Sequence, residues 1–285
     1  MPEIEISSGT IYYEESGPKD GRPVVFVHGY LMAGDVWREV SARLAVCGLR
    51  CIAPTWPMGA HSQALRHGAD RTIAGVAGIV AEVLAALDLH DVVLVGNDSG
   101  GVVTQLAAVH HPERLGAIVL TSCDAFEHFP PPVLQPMIAA AKSRLLFRMA
   151  LQAMRLPSVR KRAYGDLAHT DIDDLAKGWV RSALRAPAVG EDLRQLTLSF
   201  RTEVTTGVAA RLHEFDKPAL IAWSADDLFF ETGDGERLAA TLPNSRLEVI
   251  EGARTFAMVD RPARLADLLS TIAVPSSDGL RGGSI

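Results

Sequence analysis

The sequence predicts an α/β fold, in which a mostly parallel, doubly wound sheet carries an inserted helical cap. Strand-like and helix-like segments alternate along most of the chain, a pattern typical of a parallel sheet covered on both faces. Between Ala125 and Leu212 the strand signal disappears and helical patterns follow one another. A chain of 285 residues, 48% of them hydrophobic, is long enough to bury the core of one such domain with its insertion.

The elements of the sheet domain are predicted from runs of β-branched residues and from the helical stretches between them. The chain begins with a predicted hairpin of Ile4 to Ile6 and Thr10 to Glu14. Six further strands are predicted at Val24 to His28, Arg50 to Ala53, Val92 to Gly96, Ala117 to Thr121, Ala219 to Trp223 and Arg246 to Ile250. Five helices are predicted at Val36 to Val46, Thr72 to Leu87, Gly101 to His110, Asp234 to Leu242 and Pro262 to Ile272, the last opened by a proline that suits a first helical turn.

Residues 126–212 are predicted to form the helical cap, and residues 1–125 with 213–285 the core domain. Within the cap, helical patterns run over Val133 to Arg155, Asp171 to Leu184 and Gly190 to Thr205. Charge also separates the two parts, because the cap holds 13 Lys and Arg against 8 Asp and Glu, net +5, which leaves −11 for the remainder. The stretch from Pro275 to Ile285, rich in Ser and Gly, is expected to fray.

Composition argues against several function classes. The three cysteines, Cys47, Cys51 and Cys123, lack the spacing of a metal site, and we expect neither a metal nor another cofactor. No apolar stretch is long enough to cross a bilayer, and no basic segment followed by an apolar run stands at the first residues, so we expect a cytoplasmic protein without a membrane partner. A net charge of −6 argues against nucleic acid as a partner. The expected partner is a small-molecule substrate, and the sequence leaves a homodimer open.

Residues 92–101, VVLVGNDSGG, carry the most chemical information in the chain. A β-branched strand passes straight into a glycine-flanked turn and then into a helix, which is the pattern of a nucleophile elbow with Asp98 at its tip. Side chains two residues before and after such a tip would crowd the backbone, and Gly96 and Gly100 occupy those positions. The alternative is an ordinary helix start with Asn97 or Asp98 as its N-cap.

Four blocks of sequence make the chain resemble the α/β-hydrolase superfamily over nearly its whole length. Residues 25–30, VFVHGY, are similar to the strand-to-loop HG block, and residues 53–62, APTWPMGAHS, to the D-x-P-G-x-G-x-S block in altered form. The elbow is the third block, and residues 222–227, AWSADD, with residues 252–256, GARTF, are the fourth. The resemblance implies the α/β-hydrolase fold, with functional residues in the chain order nucleophile, acid, histidine.

An aspartate at the elbow resembles the branch of haloalkane dehalogenases and epoxide hydrolases. The resemblance implies that Asp98 attacks carbon to give an ester, which a histidine-activated water then cleaves. It assigns the acid to Asp227, with Asp226 as the less favoured choice, and the oxyanion hole to the backbone N–H groups of Tyr30 and Ser99. The N-terminus of the helix after the elbow would assist these donors.

Thr255 occupies the position of the family histidine, and no histidine follows His213. Neutral imidazole deprotonates the attacking water near pH 7, whereas threonine cannot act as that base. A general base is typically worth about 100- to 10,000-fold in rate, so ester hydrolysis without one slows towards a single turnover. His61, His128 and His169 are the candidates for a displaced base.

Features of the individual branches are also missing. Ser99 stands where haloalkane dehalogenases usually carry a halide-binding tryptophan, and Tyr164 is the single tyrosine of the predicted cap, where epoxide hydrolases use two. Fluoroacetate dehalogenases place arginines just after the elbow, where this chain has residues 100–103, GGVV. The resemblance therefore does not select one of these three activities.

The substrate pocket is expected between the cap and the carboxyl ends of the strands, where open α/β sheets bind ligands. Its wall is expected to be apolar and shape-selective. The candidate wall residues of the cap are Phe126, Phe129, Met137, Leu145, Leu146, Phe147, Met149, Met154 and Trp179. The residues chosen as substrate-binding are Phe126, Phe129 and Trp179 of the cap and His28 of the HG block.

Three functions fit these observations. The first is a hydrolase-like enzyme with an atypical or incomplete triad of Asp98, Asp227 and Thr255, acting on a small, largely apolar organic substrate. The second is a non-hydrolytic lyase, isomerase or cyclase that uses Asp98 as a base. The third is a ligand-binding protein without turnover, since a fold does not fix a function.

Overall fold

The computed structural model describes residues 1–274, and the predicted fraying of Pro275 to Ile285 lies outside them. The described strands are β1 (Glu3–Ile6), β2 (Gly9–Ser16), β3 (Pro23–Val27), β4 (Arg50–Pro54), β5 (Val92–Asp98), β6 (Leu115–Cys123), β7 (Ala219–Ser224) and β8 (Ser245–Ile250). They form one sheet in the order β1–β2–β4–β3–β5–β6–β7–β8. The pairs β1–β2 and β2–β4 are antiparallel, and the remaining pairs are parallel. The predicted fold class and all the predicted strands are confirmed.

The described helices match the predicted ones in the sheet domain but not in the cap. They are α1 (Arg38–Val46), α2 (Ile73–Ala86), α3 (Ser99–His110), α4 (Gln135–Ala141), α5 (Arg144–Ala153), α6 (Pro157–Tyr164), α7 (Asp173–Trp179), α8 (Arg181–Arg185), α9 (Pro187–Leu198), α10 (Thr202–Ala209), α11 (Thr232–Thr241), α12 (Ala257–Asp260) and α13 (Pro262–Ala273). The five predicted helices of the sheet domain are found as α1, α2, α3, α11 and α13. The short helix α12 is not among the predictions.

The central strands are covered on both faces. Nearly every side chain of β3, β5, β6 and β7 is buried, which for parallel strands requires helices on each side of the sheet. Helix α1 packs against α13, and α2 packs against α3. Because β5 lies between β3 and β6, its last residue, Asp98, reaches the middle of the carboxyl edge of the sheet. Ligands of open α/β sheets bind at this edge.

The segment between β6 and β7 contributes no strand among the described residues and consists of helices α4 to α10 with short turns. Hydrogen bonds join it to the loop after β3. The hydroxyl groups of Tyr30 and Thr197 are 2.7 Å apart, and the Tyr164 hydroxyl donates to the Leu31 carbonyl at 2.8 Å. We call residues 126–212 the cap, and its role as a separate domain with these boundaries stays a prediction.

The helix boundaries predicted inside the cap are wrong. The helix predicted over Val133 to Arg155 divides into α4 and α5 at Ser143, whose Oγ accepts the N–H of Leu146 at 3.4 Å and caps α5. The helix predicted to begin at Gly190 begins instead at Pro187, because proline suits the first turn of a helix. The helix predicted over Asp171 to Leu184 divides into α7 and α8, and the one predicted over Gly190 to Thr205 divides into α9 and α10. Helix α6, which also begins with a proline, is not predicted.

Candidate active site

The turn between β5 and α3 holds Asp98 in a strained backbone conformation. Its φ of 54° and ψ of −134° lie outside the regions that L-residues ordinarily adopt. A Cβ atom on Gly96 would overlap Thr104 Oγ1 and the Gly100 carbonyl, and a Cβ atom on Gly100 would overlap the Val27 carbonyl. Both positions therefore require glycine, as the spacing of a nucleophile elbow predicts.

Asp98 is also the N-cap of α3, but its geometry is not that of an ordinary cap. An ordinary N-cap residue has an extended backbone, and its side chain accepts from the second or third helical N–H. Asp98 has a positive φ, and its Oδ1 accepts from the first helical residue, Ser99, at 2.5 Å. Capping alone therefore does not account for the strain at this turn.

One oxygen of the Asp98 carboxylate is held by three donors and the other is not held. Oδ1 accepts from the backbone N–H groups of Ser99 (2.5 Å) and Tyr30 (3.3 Å) and from the Ser99 hydroxyl (3.0 Å). No group in the described part of the chain donates to Oδ2. Burial raises the pKa of Asp98, and the hydrogen bonds from Ser99 and Tyr30 oppose that rise. The two N–H groups predicted as an oxyanion hole thus converge on Asp98 itself.

The predicted acid, Asp227, and Thr255 lie together on the other side of the elbow strand. Asp227 Oδ1 accepts from the N–H groups of Phe229 (2.9 Å) and Phe230 (3.1 Å) and from Thr255 Oγ1 (3.0 Å). Burial raises the pKa of Asp227, and these hydrogen bonds lower it. Asn97 Nδ2 donates to the Thr255 carbonyl at 2.8 Å and ties this loop to the elbow.

No imidazole forms a hydrogen bond with Asp98 or Asp227 in residues 1–274. His61 Nε2 is paired with Asp192 Oδ2 at 3.3 Å, and His128 Nδ1 with Asp234 Oδ2 at 2.7 Å. His169 Nε2 is paired with Oδ2 of Asp226, the less favoured candidate acid, at 2.9 Å. None of the three lines the cavity that contains Asp98. The geometry therefore gives no support to a displaced imidazole base.

A cavity of about 260 Å³ has Asp98 and Ser99 in its wall. Most of the wall is apolar, and its larger apolar side chains include Leu31, Leu134, Met137, Met154, Phe229 and Phe230. A more open cleft of about 570 Å³ elsewhere on the surface contains neither Asp98 nor Asp227. The smaller cavity is the candidate substrate site, because it holds the strained carboxylate among apolar side chains.

The cap supplies part of this wall, but not through all the side chains expected. Met137 and Met154 line the cavity as predicted. Leu145, Leu146 and Met149 do not, since they are 67%, 53% and 60% exposed on the outer face of α5. A helical run of apolar residues identifies a helix but does not show which side of it faces the site.

The four residues predicted to bind substrate do not line the cavity, and His28 is the first of them. Its side chain is fully buried. Nε2 accepts from the N–H of Trp56 at 2.8 Å, and Nδ1 donates to the Gly29 carbonyl at 2.9 Å. Burial lowers the pKa of His28 to about 4, so the ring is neutral near pH 7. His28 thus supports the loops around the site.

Phe126, Phe129 and Trp179 hold the cap in place and do not face the cavity. An arginine guanidinium from α11 lies 4.0 Å from the centre of the Phe126 ring. The Phe129 ring packs against Phe200 with their centres 5.0 Å apart. Trp179 Nε1 donates to Asp35 Oδ1 at 2.6 Å and so joins α7 to the loop after β3.

Two charged wall residues are absent from the predicted site, and a third wall residue has a more limited role than expected. Asp124 lines the cavity and comes directly after β6, the neighbour of the elbow strand. Because parallel strands end at the same edge of a sheet, this position in the sequence indicates that Asp124 lies near the site. Arg162 is the one cation in the described part of the wall. Tyr164 also lines the cavity, but its hydroxyl proton is engaged by the Leu31 carbonyl.

Among residues 1–274 no three His, Cys, Asp or Glu side chains are arranged to hold a metal ion. Within the same range, no helix combines the length and apolar character needed to cross a membrane. All three cysteines are free thiols, with Cys47 exposed and Cys51 and Cys123 buried.

Comparison with known proteins extends the resemblance found in the sequence. A non-heme haloperoxidase of Rhodococcus erythropolis is 29% identical over 285 aligned positions, which cover 95% of this chain and 99% of that protein. A thermophilic esterase of Thermogutta terrifontis superposes with a TM-score of 0.75 at 20% identity, covering 95% of this chain and 97% of the esterase. A protein described as an ancestral haloalkane dehalogenase superposes with a TM-score of 0.77 at 16% identity, covering 96% and 98%.

The two structural neighbours show the fold alone, because their identity to this chain is low. The family itself is shown by the sequence, since a family model for the alpha/beta hydrolase fold matches residues 22–262. This match includes the elbow, Asp227, Thr255 and the whole cap. The chain belongs to the alpha/beta hydrolase fold family.

Proposed function

We propose that the protein is a hydrolase-type enzyme that acts through Asp98 on a small, largely apolar organic substrate. The observation that carries the proposal is the Asp98 carboxylate, which sits on a strained turn with Oδ1 held by two backbone N–H groups and Oδ2 open to a cavity. A volume of about 260 Å³ and an apolar wall suit a small apolar molecule. The haloperoxidase relative and the family membership support a hydrolase-type enzyme.

The chemistry begins with attack by Asp98 Oδ2 on an electrophilic carbon. A bond forms between Oδ2 and that carbon, and the bond from the carbon to its leaving group breaks with its electron pair. The product is an ester of Asp98, in which Oδ1 is the carbonyl oxygen. The N–H groups of Tyr30 and Ser99 then serve as an oxyanion hole, because water addition to the ester places negative charge on Oδ1.

The second half of a hydrolytic cycle lacks its usual base. Thr255 donates its hydroxyl proton to Asp227 and has no group able to take a proton from water near pH 7. The triad of Asp98, Asp227 and Thr255 is therefore atypical, and ester cleavage is slower than ester formation.

The missing imidazole also favours a second function, proton transfer by Asp98 in a lyase, isomerase or cyclase. Burial raises the pKa of Asp98, which makes its carboxylate a stronger base than an exposed one. Proton transfer needs neither an ester nor an activated water. Asp124 supplies a second carboxyl group in the same wall.

A substrate panel in H₂¹⁸O tests and separates these functions. The panel contains primary alkyl halides, terminal epoxides and small esters. The proteins compared are the wild type, Asp98→Asn and the control Asp216→Asn. Asp216 is an exposed aspartate just before β7. We expect the wild type and the control to convert a substrate and Asp98→Asn to lose about 100- to 10,000-fold.

The position of the ¹⁸O label identifies the route. In a single turnover through an ester, ¹⁸O enters the Asp98 carboxylate, because water attacks the ester carbonyl and the product keeps Oδ2. Conversion with an unlabelled Asp98 supports proton transfer. Full activity of Asp98→Asn overturns both functions, and binding without any conversion leaves a ligand-binding protein.

A further inference from the structure

A second carboxyl group is buried beside Asp98. Asp124 is 1% exposed, and Gln105 Nε2 fixes its backbone by donating to its carbonyl at 2.9 Å. Asp124 Oδ2 lies 3.2 Å from Ser99 Oγ, which in turn lies 3.0 Å from Asp98 Oδ1. Asp124 Oδ1 is buried without a hydrogen-bond partner in the described part of the chain. Both carboxyl groups belong to the wall of one cavity.

The hydrogens available at Ser99 show how these groups are protonated. The Ser99 hydroxyl has one proton but contacts two carboxyl oxygens. If both acids were ionised, one of the two contacts would join two oxygens without a hydrogen between them. With a proton on Asp124, each contact has one hydrogen: Asp124 donates to Ser99 Oγ, and Ser99 Oγ donates to Asp98 Oδ1.

The surroundings indicate that Asp124, and not Asp98, keeps the proton. Asp98 has two backbone N–H donors in addition to the hydroxyl, whereas Asp124 has Ser99 alone. The charged groups that act on Asp124 are Asp98 and Asp234 of α11, and Asp234 is itself paired with His128 and an arginine. Burial and the charge of Asp98 hold the pKa of Asp124 well above its ordinary value.

The cations near the site do not reverse this assignment. Arg162 of α6 lines the same cavity, and in residues 1–274 no Lys, Arg or His forms an ion pair with Asp124. An unpaired carboxylate next to a second carboxylate in a buried site is costly, so the neutral acid is the stable form.

We propose that Asp124 is the catalytic acid of the site and gives its proton to the atom that leaves when Asp98 attacks. This inference rests on the proposed function of Asp98. When Oδ2 of Asp98 forms its bond to carbon, the bond from carbon to the leaving oxygen breaks and the oxygen takes the electron pair. The proton on Asp124 Oδ2 leaves its hydrogen bond to Ser99 Oγ and moves to that oxygen. Asp124 is left as a carboxylate and regains a proton from solvent before the next turnover.

The proposal distinguishes substrates by their leaving atom. A departing oxygen is a strong base and needs the proton, whereas a halide departs as a stable anion without one. The test therefore compares a terminal epoxide with the primary bromide of the same chain length, using the wild type, Asp124→Asn and Asp98→Asn. Asparagine has the shape of aspartate but no acidic proton.

We expect Asp124→Asn to lower kcat/KM for the epoxide by about 100- to 10,000-fold and to lower that for the bromide by a much smaller factor. In the wild type, kcat/KM for the epoxide falls as pH rises through the pKa of Asp124, and in Asp124→Asn this fall disappears. Equal losses on both substrates, or an unchanged fall at high pH, overturn the acid role. Activity in Asp98→Asn overturns the proposed function instead, so the two failures are distinct.

An infrared measurement tests the protonation without any substrate. At pH 7 the folded wild type should show the C=O band of a protonated carboxylic acid, which Asp124→Asn lacks and Asp227→Asn keeps. In Asp98→Asn the band should disappear at a lower pH than in the wild type, because the charge that helps to raise the pKa of Asp124 is gone. If Asp124→Asn does not fold, as judged by circular dichroism, the shift in Asp98→Asn still assigns the band to a carboxyl group beside Asp98, and its persistence in Asp227→Asn excludes Asp227. Absence of the band from the wild type at pH 7 overturns the proposal.

Discussion

Two carboxylates in this protein have the same number and kind of donors and yet differ in what they can do. At the attack end, Asp98 Oδ1 accepts from two backbone N–H groups and the Ser99 hydroxyl. At the acid end, Asp227 Oδ1 accepts from two backbone N–H groups and the Thr255 hydroxyl. Asp98 lines the cavity, and among the described residues no group donates to its second oxygen. Asp227 does not line the cavity, and its second oxygen is buried without a hydrogen-bond partner in the described part of the chain.

Under the proposed function, the reactivity of each carboxylate depends on the oxygen that accepts no hydrogen bond. A carboxylate with one fixed and one open oxygen is oriented and still able to attack or to take a proton. A carboxylate with both oxygens enclosed can only hold its neighbours. The side chain next to Asp227 is the Thr255 hydroxyl and not an imidazole. Under the proposed function, Asp227 and Thr255 therefore support the loop and do not activate water.

Substitution at each end gives the largest expected contrast. Asp98→Asn should reduce kcat/KM by about 100- to 10,000-fold, because an amide is neither nucleophilic nor basic, while Thr255→Ala should cost much less than this. Both variants should keep the far-ultraviolet circular dichroism of the wild type. If Thr255→Ala is as inactive as Asp98→Asn, Thr255 takes part in the chemistry and the two ends are not different in kind.

Thr255→His should restore the missing base and sharpen the contrast. The new imidazole would take the place of a hydroxyl that is 3.0 Å from Asp227. If the ester accumulates in the wild type, the rate of multiple-turnover hydrolysis should rise by about 100-fold or more, because an imidazole activates water for ester cleavage. Thr255→Asn is the matched control, since it offers a hydrogen bond without a base. No gain in a folded Thr255→His protein would argue for direct proton transfer by Asp98.

The strained elbow should be intolerant of a single methyl group. Gly100→Ala places a Cβ against the backbone carbonyls of Val27 and His28, so the turn must move, at a cost of about 1–3 kcal/mol in the free energy of unfolding and with loss of activity. Gly78→Ala in α2 is the control, because its Cβ meets no atom within 4 Å. Urea unfolding should show Gly78→Ala to be at least as stable as the wild type. Equal free energies of unfolding for Gly100→Ala and Gly78→Ala would contradict the close packing around Gly100.

Acid pH should reveal the raised pKa of Asp98 through a smaller effect. Asp98 must be ionised to attack or to accept a proton, so kcat/KM falls as pH falls through its pKa. Burial raises this pKa above the ordinary value of 3.8, which places the midpoint of the acid limb above 3.8. A midpoint at or below 3.8 in the pH dependence of kcat/KM would contradict the burial of an ionisable Asp98.

The local parts of the fold and site could be predicted from sequence. The strands are short β-branched runs, and the elbow depends on Gly96, Asp98 and Gly100 within five positions, so neighbours in the chain determine both. The position of Thr255 beside Asp227 follows from the family chain order of nucleophile, acid and histidine, in which Thr255 stands at the histidine position.

The remaining parts depend on packing between distant segments. The boundaries of the cap helices depend on single residues such as Ser143 and Pro187. A pattern of apolar residues does not show the effect of these residues. The orientation of Leu145 towards solvent and of Met137 towards the cavity depends on how each helix is rotated against its neighbours. The role proposed for Asp124 depends on its contact with Ser99, 25 positions away in the chain.

Mass spectrometry of the intact protein after exposure to an alkyl halide or an epoxide tests the central claim most directly. If Asp98 forms an ester that nothing nearby cleaves quickly, the wild type should gain the mass of one alkyl group from the halide or of one hydroxyalkyl group from the epoxide. Digestion should map this mass to the peptide that contains Asp98. Asp98→Asn should gain no mass, and Thr255→His should gain it only transiently. Conversion of substrate by a wild type that never carries the added mass, or an added mass on another residue, would contradict attack by Asp98.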